Sequence, residues 1–245
     1  MTGASMLMRQ GRPRLAYRKR AGTGPTIVFL PGYRSDMTGA KAEAIDGWAA
    51  ERGRACIRFD YSGCGDSGGD FAEQTLAGWR DDALAIIDTL VSGPLVLVGS
   101  SMGGWLMLLI ARERADRVAG LLGIAVAPDF TDWGFSQDEK LAILSNGRLE
   151  RANPYGPEPQ LTTRAFWQSG EANRVLQRPL SLTAPARFVH GMADAEVPWR
   201  YAPHAAGLIA ASDVQVTLIK DGEHRLSRDG DIAVILRALA ELVER

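Results

Sequence analysis

Three residues in this chain have the types and the order needed for nucleophilic catalysis: Ser101, Asp194 and His224. A serine hydroxyl is a poor nucleophile until a neutral imidazole takes its proton. The imidazole in turn needs a carboxylate to fix its tautomer and stabilise the charge it gains. Ser101 lies in VLVGSSMGGW, Val96 to Trp105, where an aliphatic run gives way to glycines and serines and then to an apolar helical pattern. Gly99-Ser100-Ser101-Met102-Gly103 fits G-x-S-x-G, a strand-to-helix turn that tolerates little bulk near its apex and lifts a serine hydroxyl clear of a sheet. A chain with 27 glycines forms such pentads by chance. The strand before and the helix after select Ser101 as the nucleophile and leave Ser100, one residue off the apex, a structural part.

In an open parallel sheet the ligand sits at the carboxyl ends of the strands, so chemistry gathers in the residues just after each strand. Those segments here are Pro31-Gly32-Tyr33-Arg34, Asp60 to Gly68, His190 to Asp194, and Asp221-Gly222-Glu223-His224. They supply the acid and the base. Asp194 is the expected acid, with Asp129 as its rival after an earlier strand and Glu196 and Asp213 behind it. His224 is the expected base, while His190 more naturally orders its own loop and His204 reads as a surface residue. Two backbone N–H groups, those of Met102 and Tyr33, stand where an oxyanion hole belongs. Gly63-x-Gly65-x-x-Gly68 spells a dinucleotide fingerprint, but no helix opens at its third glycine, so it reads as a loop rimming the site. Cys64 in that loop reads as a small packed residue.

The elements that must position these groups are legible as apolar runs of strand length alternating with helical periods. Strands are expected over Leu15–Lys19, Thr26–Leu30, Arg54–Phe59, Leu95–Val98, Leu121–Val126, Arg187–His190 and Val214–Ile219, the first of them as an edge strand. Helices are expected over Ala40–Arg52, Glu73–Val91, Met102–Glu113, Arg200–Ala211 and Asp231–Glu244. The interior strands are almost continuously aliphatic, as buried parallel strands are. Strand–helix alternation implies right-handed crossovers and a doubly wound, mostly parallel α/β sheet. The alternation lapses over 128–179, where Asn153-Pro154, Pro157 and Pro159 separate helical pieces at Asp138–Asn146 and Thr162–Leu176. This stretch is expected to be a lid inserted into a single domain. Its aromatic residues Trp133, Phe135, Phe166 and Trp167 line an acyl pocket or bury the lid against the sheet. Arg34 is the candidate contact for an anionic part of a substrate.

Composition narrows the partners. The chain has 245 residues, 46% hydrophobic, with mean hydropathy -0.09, and no apolar run near the roughly 18 residues of a membrane span. A net charge of -1 gives no electrostatic case for nucleic acid or an anionic membrane. Cys56 and Cys64 are too few for a disulfide framework, and with three histidines they make no metal cluster; no cofactor or metal is expected. A reducing cytoplasm fits. The basic stretch from Arg9 to Arg20 has the charge of a transit peptide, but Leu15–Lys19 alternates like a strand and no cleavage site precedes it.

The segments LPGYRSDMTGAKA, RACIRFDYSGCGDSGG, LVGSSMGGWLML, VHGMADAEVPW and EHRLSR together resemble the small α/β-hydrolases related to the mitochondrial acyl-protein thioesterase, also described as a mycophenolic acid acyl-glucuronide esterase. The similarity runs from about Thr26 to the end and is weakest in the lid. It implies an α/β-hydrolase fold and a serine hydrolase acting on S-acylated or O-acylated substrates, small molecules or proteins, with nucleophile, acid and base at Ser101, Asp194 and His224. On this resemblance the chain is expected to be a bacterial cytoplasmic homologue without the longer targeting extension of the mitochondrial members. A broad carboxylesterase and a non-catalytic binding protein on the same fold are the alternatives.

Overall fold

The interior strands of the main sheet are fixed by what their alternate residues bury. In β3 (Thr23–Leu30), Ile27 and Phe29 join one apolar layer, with Ile45 and Trp48 of α1 (Ala40–Glu51) and Ile235 and Leu239 of α8 (Asp229–Val243). Val28 and Leu30 join the opposite layer, with Ile86 and Ile87 of α2 (Leu76–Leu90) and Leu106 and Ile110 of α3 (Met102–Glu113). The period-2 alternation of the strand thus places helices on both faces.

The computed structural model describes residues 3–153, 156 and 159–244. The remaining strands of the main sheet are β1 (Ser5–Arg9), β2 (Arg12–Arg20), β4 (Arg54–Phe59), β5 (Leu95–Ser100), β6 (Val118–Ile124), β9 (Ala186–Gly191) and β10 (Val214–Ile219). Their spatial order is β1-β2-β4-β3-β5-β6-β9-β10. The pairs from β4 onward are parallel, and β1/β2 and β2/β4 are antiparallel. The doubly wound, mostly parallel sheet inferred from the sequence is therefore present. No helix among the described residues is long and apolar enough to cross a membrane.

Three expectations are corrected. The strand over Leu15–Lys19 is not the edge: β1 pairs outside it, and β2 runs from Arg12 to Arg20. The basic residues there act as clamps. Arg9 Nη1 lies 2.6 Å from the buried Asp82, and Arg20 holds Asp46 through two bonds of 2.9 Å. The segment between β6 and β9 is also richer than two helical pieces. It carries α4 (Phe130–Trp133), α5 (Gln137–Asn146), an antiparallel hairpin of β7 (Arg148–Arg151) and β8 (Gln160–Thr163), and α6 (Arg164–Ala172). Pro154 and Pro157 lie outside the described residues. A capping box at Ser136 and Glu139 starts α5, and Arg151 binds both Glu139 oxygens, tying the hairpin to that helix. The last crossover helix, α7 (Tyr201–Leu208), is shorter than its periodicity indicated because its cap Ile209 turns extended and pairs with Leu180.

Candidate active site

Ser101 connects β5 to α3 at φ 56°, ψ −121°, a left-handed conformation that a serine does not adopt without support. The support is three backbone bonds. The Ser101 N–H donates to Ile124 O at 2.9 Å, and its carbonyl accepts from Gly104 N–H at 2.9 Å and Ala127 N–H at 3.0 Å. The two motif glycines answer to close approach. A Cβ at Gly99 would sit 2.4 Å from Gly103 O, and one at Gly103 would sit 2.0 Å from Leu30 O. Helix α3 therefore begins wedged against the end of β3, and the serine is left at the carboxyl edge of the sheet.

Around it the expected residues converge. His224 Nε2 lies 3.1 Å from Ser101 Oγ, and His224 Nδ1 lies 2.8 Å from Asp194 Oδ2. The tautomer carrying its proton on Nδ1 donates to Asp194 and presents the Nε2 lone pair to the serine hydroxyl. Asp194 has no exposed side-chain surface, and its carboxylate is fully engaged. Oδ1 accepts the backbone N–H groups of Glu196 at 2.9 Å and Val197 at 2.8 Å, and Oδ2 also lies 3.2 Å from His190 Nε2. Burial alone would raise this carboxyl. The bonds from His190, His224 and Val197 outweigh it and hold Asp194 well below the usual carboxylate range. His190 is wholly buried, with Nε2 also 3.1 Å from Val197 O and Nδ1 without a partner. A proton on Nε2 serves both oxygens, so His190 braces the acid and its loop and does not reach the serine.

The rival acids stand elsewhere. Asp129 accepts the backbone N–H groups of Val175 at 2.8 Å and Leu176 at 2.9 Å, a structural clasp inside the β6–β9 segment. Asp213 pairs with Arg187, and Glu196 is exposed on the loop that wraps Asp194. His204 is exposed on α7.

The loop after β3 lies directly against Ser101: a Cβ at Gly32 would be 3.3 Å from Ser101 Cβ. Tyr33 follows, with its hydroxyl donating to Leu161 O on the hairpin and its phenol pushed up by burial. Arg34, at φ 54°, lies over the Phe71 ring at 4.9 Å and donates to Pro159 O. Met102 heads α3, so its N–H has no acceptor within the helix. The Gly63–Gly68 loop supports this arrangement from behind. Gly65 has φ 48°, and a Cβ there would sit 2.2 Å from Asp60 Oδ2, whose carboxylate receives the N–H groups of Met37 and Asp66. Cys64 is buried in that loop, and burial pushes its thiol up to about 12, as it does that of Cys56.

Ser101 and His224 lie between two cavities. One, of about 360 Å³, is walled by Phe130, Trp133, Phe135 and Val197. The other, of about 500 Å³, is walled by Arg34, Asp36, Lys41 and Arg225. Gln160 and Tyr33 belong to both. Of the aromatic residues expected at a pocket, Trp133 and Phe135 line one, whereas Phe166 and Trp167 line neither. Phe166 points inward, its ring 4.9 Å from that of Tyr33 and 5.5 Å from that of Trp79, and Trp167 Nε1 donates to Thr131 O at 3.0 Å. They bury α6 against the core. Phe130 opens α4 six residues after β6 ends, beyond the stretch just after a strand that led to the other site segments, and nothing in the sequence marks it, Gln160 or Lys41 as a cavity residue.

Residues 27–240 match the alpha/beta hydrolase family. The chain is 40% identical over 248 aligned residues to the human protein named palmitoyl-protein thioesterase ABHD10, mitochondrial, a match covering all of this chain and 81% of that one. The mouse alpha/beta hydrolase domain-containing protein 10 superposes with a TM-score of 0.92 at 38% identity, covering 98% of both chains. A protein from Agrobacterium vitis S4 superposes with a TM-score of 0.92 at 39% identity, covering 99% of this chain and 98% of the other. With that match spanning most of its length, and with this sheet order, the chain belongs to the alpha/beta hydrolase family.

Proposed function

We propose that this chain is a serine hydrolase that cleaves acyl thioesters and carboxylic esters through an acyl-enzyme on Ser101. The observation that carries the reading is the relay of 3.1 Å from Ser101 Oγ to His224 Nε2 and 2.8 Å from His224 Nδ1 to Asp194 Oδ2. His224 takes the serine proton as Oγ attacks the acyl carbon. The backbone N–H groups of Tyr33 and Met102 receive the oxyanion, and the thiol or alcohol leaves with the proton that His224 returns. A water activated by the same imidazole then releases the acid. No step calls for a metal or a cofactor.

The two cavities divide the substrate. The aromatic one, with Trp133 and Phe135 beside Phe130, takes the acyl chain, and the cationic one takes the leaving group, with Arg34 as the contact for an anionic portion such as a glucuronide carboxylate. The 128–179 segment acts as the lid of a single domain, since its hairpin meets Tyr33 and Arg34 across the cleft. The human relative's name supports an S-acylated protein substrate, and a small-molecule thioester fits the same chemistry. That name also places the relative in mitochondria, and the cytoplasmic assignment read from the sequence reduces to a reducing compartment, favoured by two free buried thiols.

The test is a panel of acyl lengths on one fixed thiol. Each CH₂ buried in the aromatic cavity contributes about 0.8 kcal/mol, roughly fourfold in kcat/KM per carbon until the cavity is full. A rise from acetyl to medium chains is expected. A flat or falling profile from C2 to C10 would assign the chain to small esters, and no turnover of any ester or thioester would make it a binding protein.

A further inference from the structure

Lys41, in the first turn of α1, walls the same 500 Å³ cavity as Ser101 and His224. The chain has four lysines, and the other three stand elsewhere: Lys19 exposed on β2, Lys140 beside Asp132 on α5, and Lys220 exposed after β10. Lys41 is half-buried, its amine donates to the carbonyl oxygen of Arg225, and among the described residues it has no carboxylate partner. The charged and titratable groups sharing its cavity are Arg34, Asp36, Arg225 and His224, with Tyr33 beside them. Oδ1 of Asp36 accepts both the N–H and the hydroxyl of Thr38. The carbonyl bond favours the ammonium, while burial and the neighbouring Arg225 guanidinium oppose it and prevail.

We infer that Lys41 is an acyl acceptor: thioesters and activated esters entering this cavity acylate its Nζ, and the amide formed obstructs the leaving-group side of the cleft. The inference rests on the proposed entry of thioesters here but does not require Ser101 to be the nucleophile. The amine lone pair attacks the acyl carbon, the C–S bond breaks, and the departing thiolate takes the proton that the nitrogen gives up. The products are an acylated lysine and a free thiol, with no other reactant. Burial and Arg225 push the Lys41 ammonium down to about 8, so near that pH about half of its amine is free, against well under 1% of an ordinary lysine. Once formed, the amide persists, because its nitrogen must be protonated to leave, which a thiolate need not be. The modification therefore accumulates with turnover while the ester on a serine does not.

The full chain and its Ser101→Ala variant would be incubated with S-octanoyl-N-acetylcysteamine from pH 6 to 10, following thiol release and, by peptide mass spectrometry, acylation at each of the four lysines. Lys41 should be modified on the order of tenfold faster than Lys220, with a rate that rises through about pH 8 and then levels while that of Lys220 keeps climbing. Wild-type activity should fall in proportion to Lys41 acylation, and Lys41→Arg should keep its own starting rate through the same treatment. Lys41 modified no faster than Lys220, or a Lys41→Arg enzyme inactivated as fast as wild type, would overturn the inference. Thiol release undiminished in Ser101→Ala would instead refute the nucleophile and leave the lysine comparison intact.

Discussion

Gly103→Ala tests whether the loop of Tyr33, the proposed oxyanion donor, is held by the close approach of α3 to β3. A Cβ built at Gly103 lies 2.0 Å from Leu30 O and 2.6 Å from Pro31 O. An ordinary C···O contact is about 3.3 Å, so the first of these is short by roughly 1.3 Å against backbone that cannot rotate away. Either α3 or the Leu30–Pro31 strand end must move by about that amount, and Tyr33 lies two residues beyond Pro31. Overpacking of this kind costs about 1–3 kcal/mol. A displacement near 1 Å in an oxyanion donor costs about 10²-fold in rate or more. Gly103→Ala should therefore lose both, measured as a lower urea midpoint and a kcat/KM on a short-chain thioester reduced by at least about 10²-fold. Gly47→Ala supplies the control. That glycine lies exposed within α1, a Cβ there meets nothing within 4 Å, and the change should add about 0.5–1 kcal/mol with activity unaltered. A Gly103→Ala enzyme with wild-type midpoint and rate would refute the wedge.

Asp194→Asn leaves His224 facing an amide and should lower kcat by about 10⁴-fold through the wrong tautomer, whereas Asp129→Asn, which weakens only the clasp on Val175 and Leu176, should lower the melting temperature and leave most of the rate in the protein that remains folded. Steady-state kinetics beside thermal melts separate the two. The pH dependence of stability checks the Lys41 environment by itself. The folded lysine releases its proton near 8 and the unfolded one near 10.5, so across that window the unfolded state holds the extra proton and wild-type stability rises with pH relative to Lys41→Met, with a constant difference below it. Urea titrations at pH 7, 9 and 10.5 measure the trend, and parallel curves for the two proteins would contradict it.

The elements that were legible in the sequence are those whose pattern is set by burial. β4 and β10 fall on the ranges their apolar runs indicate, and Ser101, Asp194 and His224 follow strands whose ends fix them. Hydrogen bonding leaves a weaker trace. In β1 (SMLMR) only Leu7 and Arg9 are even half-buried, so the strand is held by its pairing with β2 and shows no buried stripe. β7 and β8 read RLER and QLTT, too polar to show a stripe, and are held by each other and by the Arg151–Glu139 pair. The same limit separates Trp133 from Trp167. Both are aromatic and both lie in the segment between β6 and β9. Only the packing of α4 and α6 decides that Trp133, stacked 4.2 Å from the Tyr201 ring with Nε1 bonded to Pro128 O, faces the cavity while Trp167 bonds to Thr131 O away from it. Lys41 carries no pattern at all, because its depressed proton affinity comes first from its burial in the folded cavity wall and then from Arg225, far along the chain.

The most direct test of the account is the reaction of wild type, Ser100→Ala and Ser101→Ala with a fluorophosphonate, read by intact mass beside kcat on a thioester. Wild type and Ser100→Ala should each gain one phosphonyl group. Ser101→Ala should gain none and lose kcat by roughly 10⁴ to 10⁶-fold. Labelling of Ser101→Ala at the wild-type rate, or a thioesterase rate that survives the substitution in folded protein, would contradict the assignment of Ser101 and the relay through His224 and Asp194 with it.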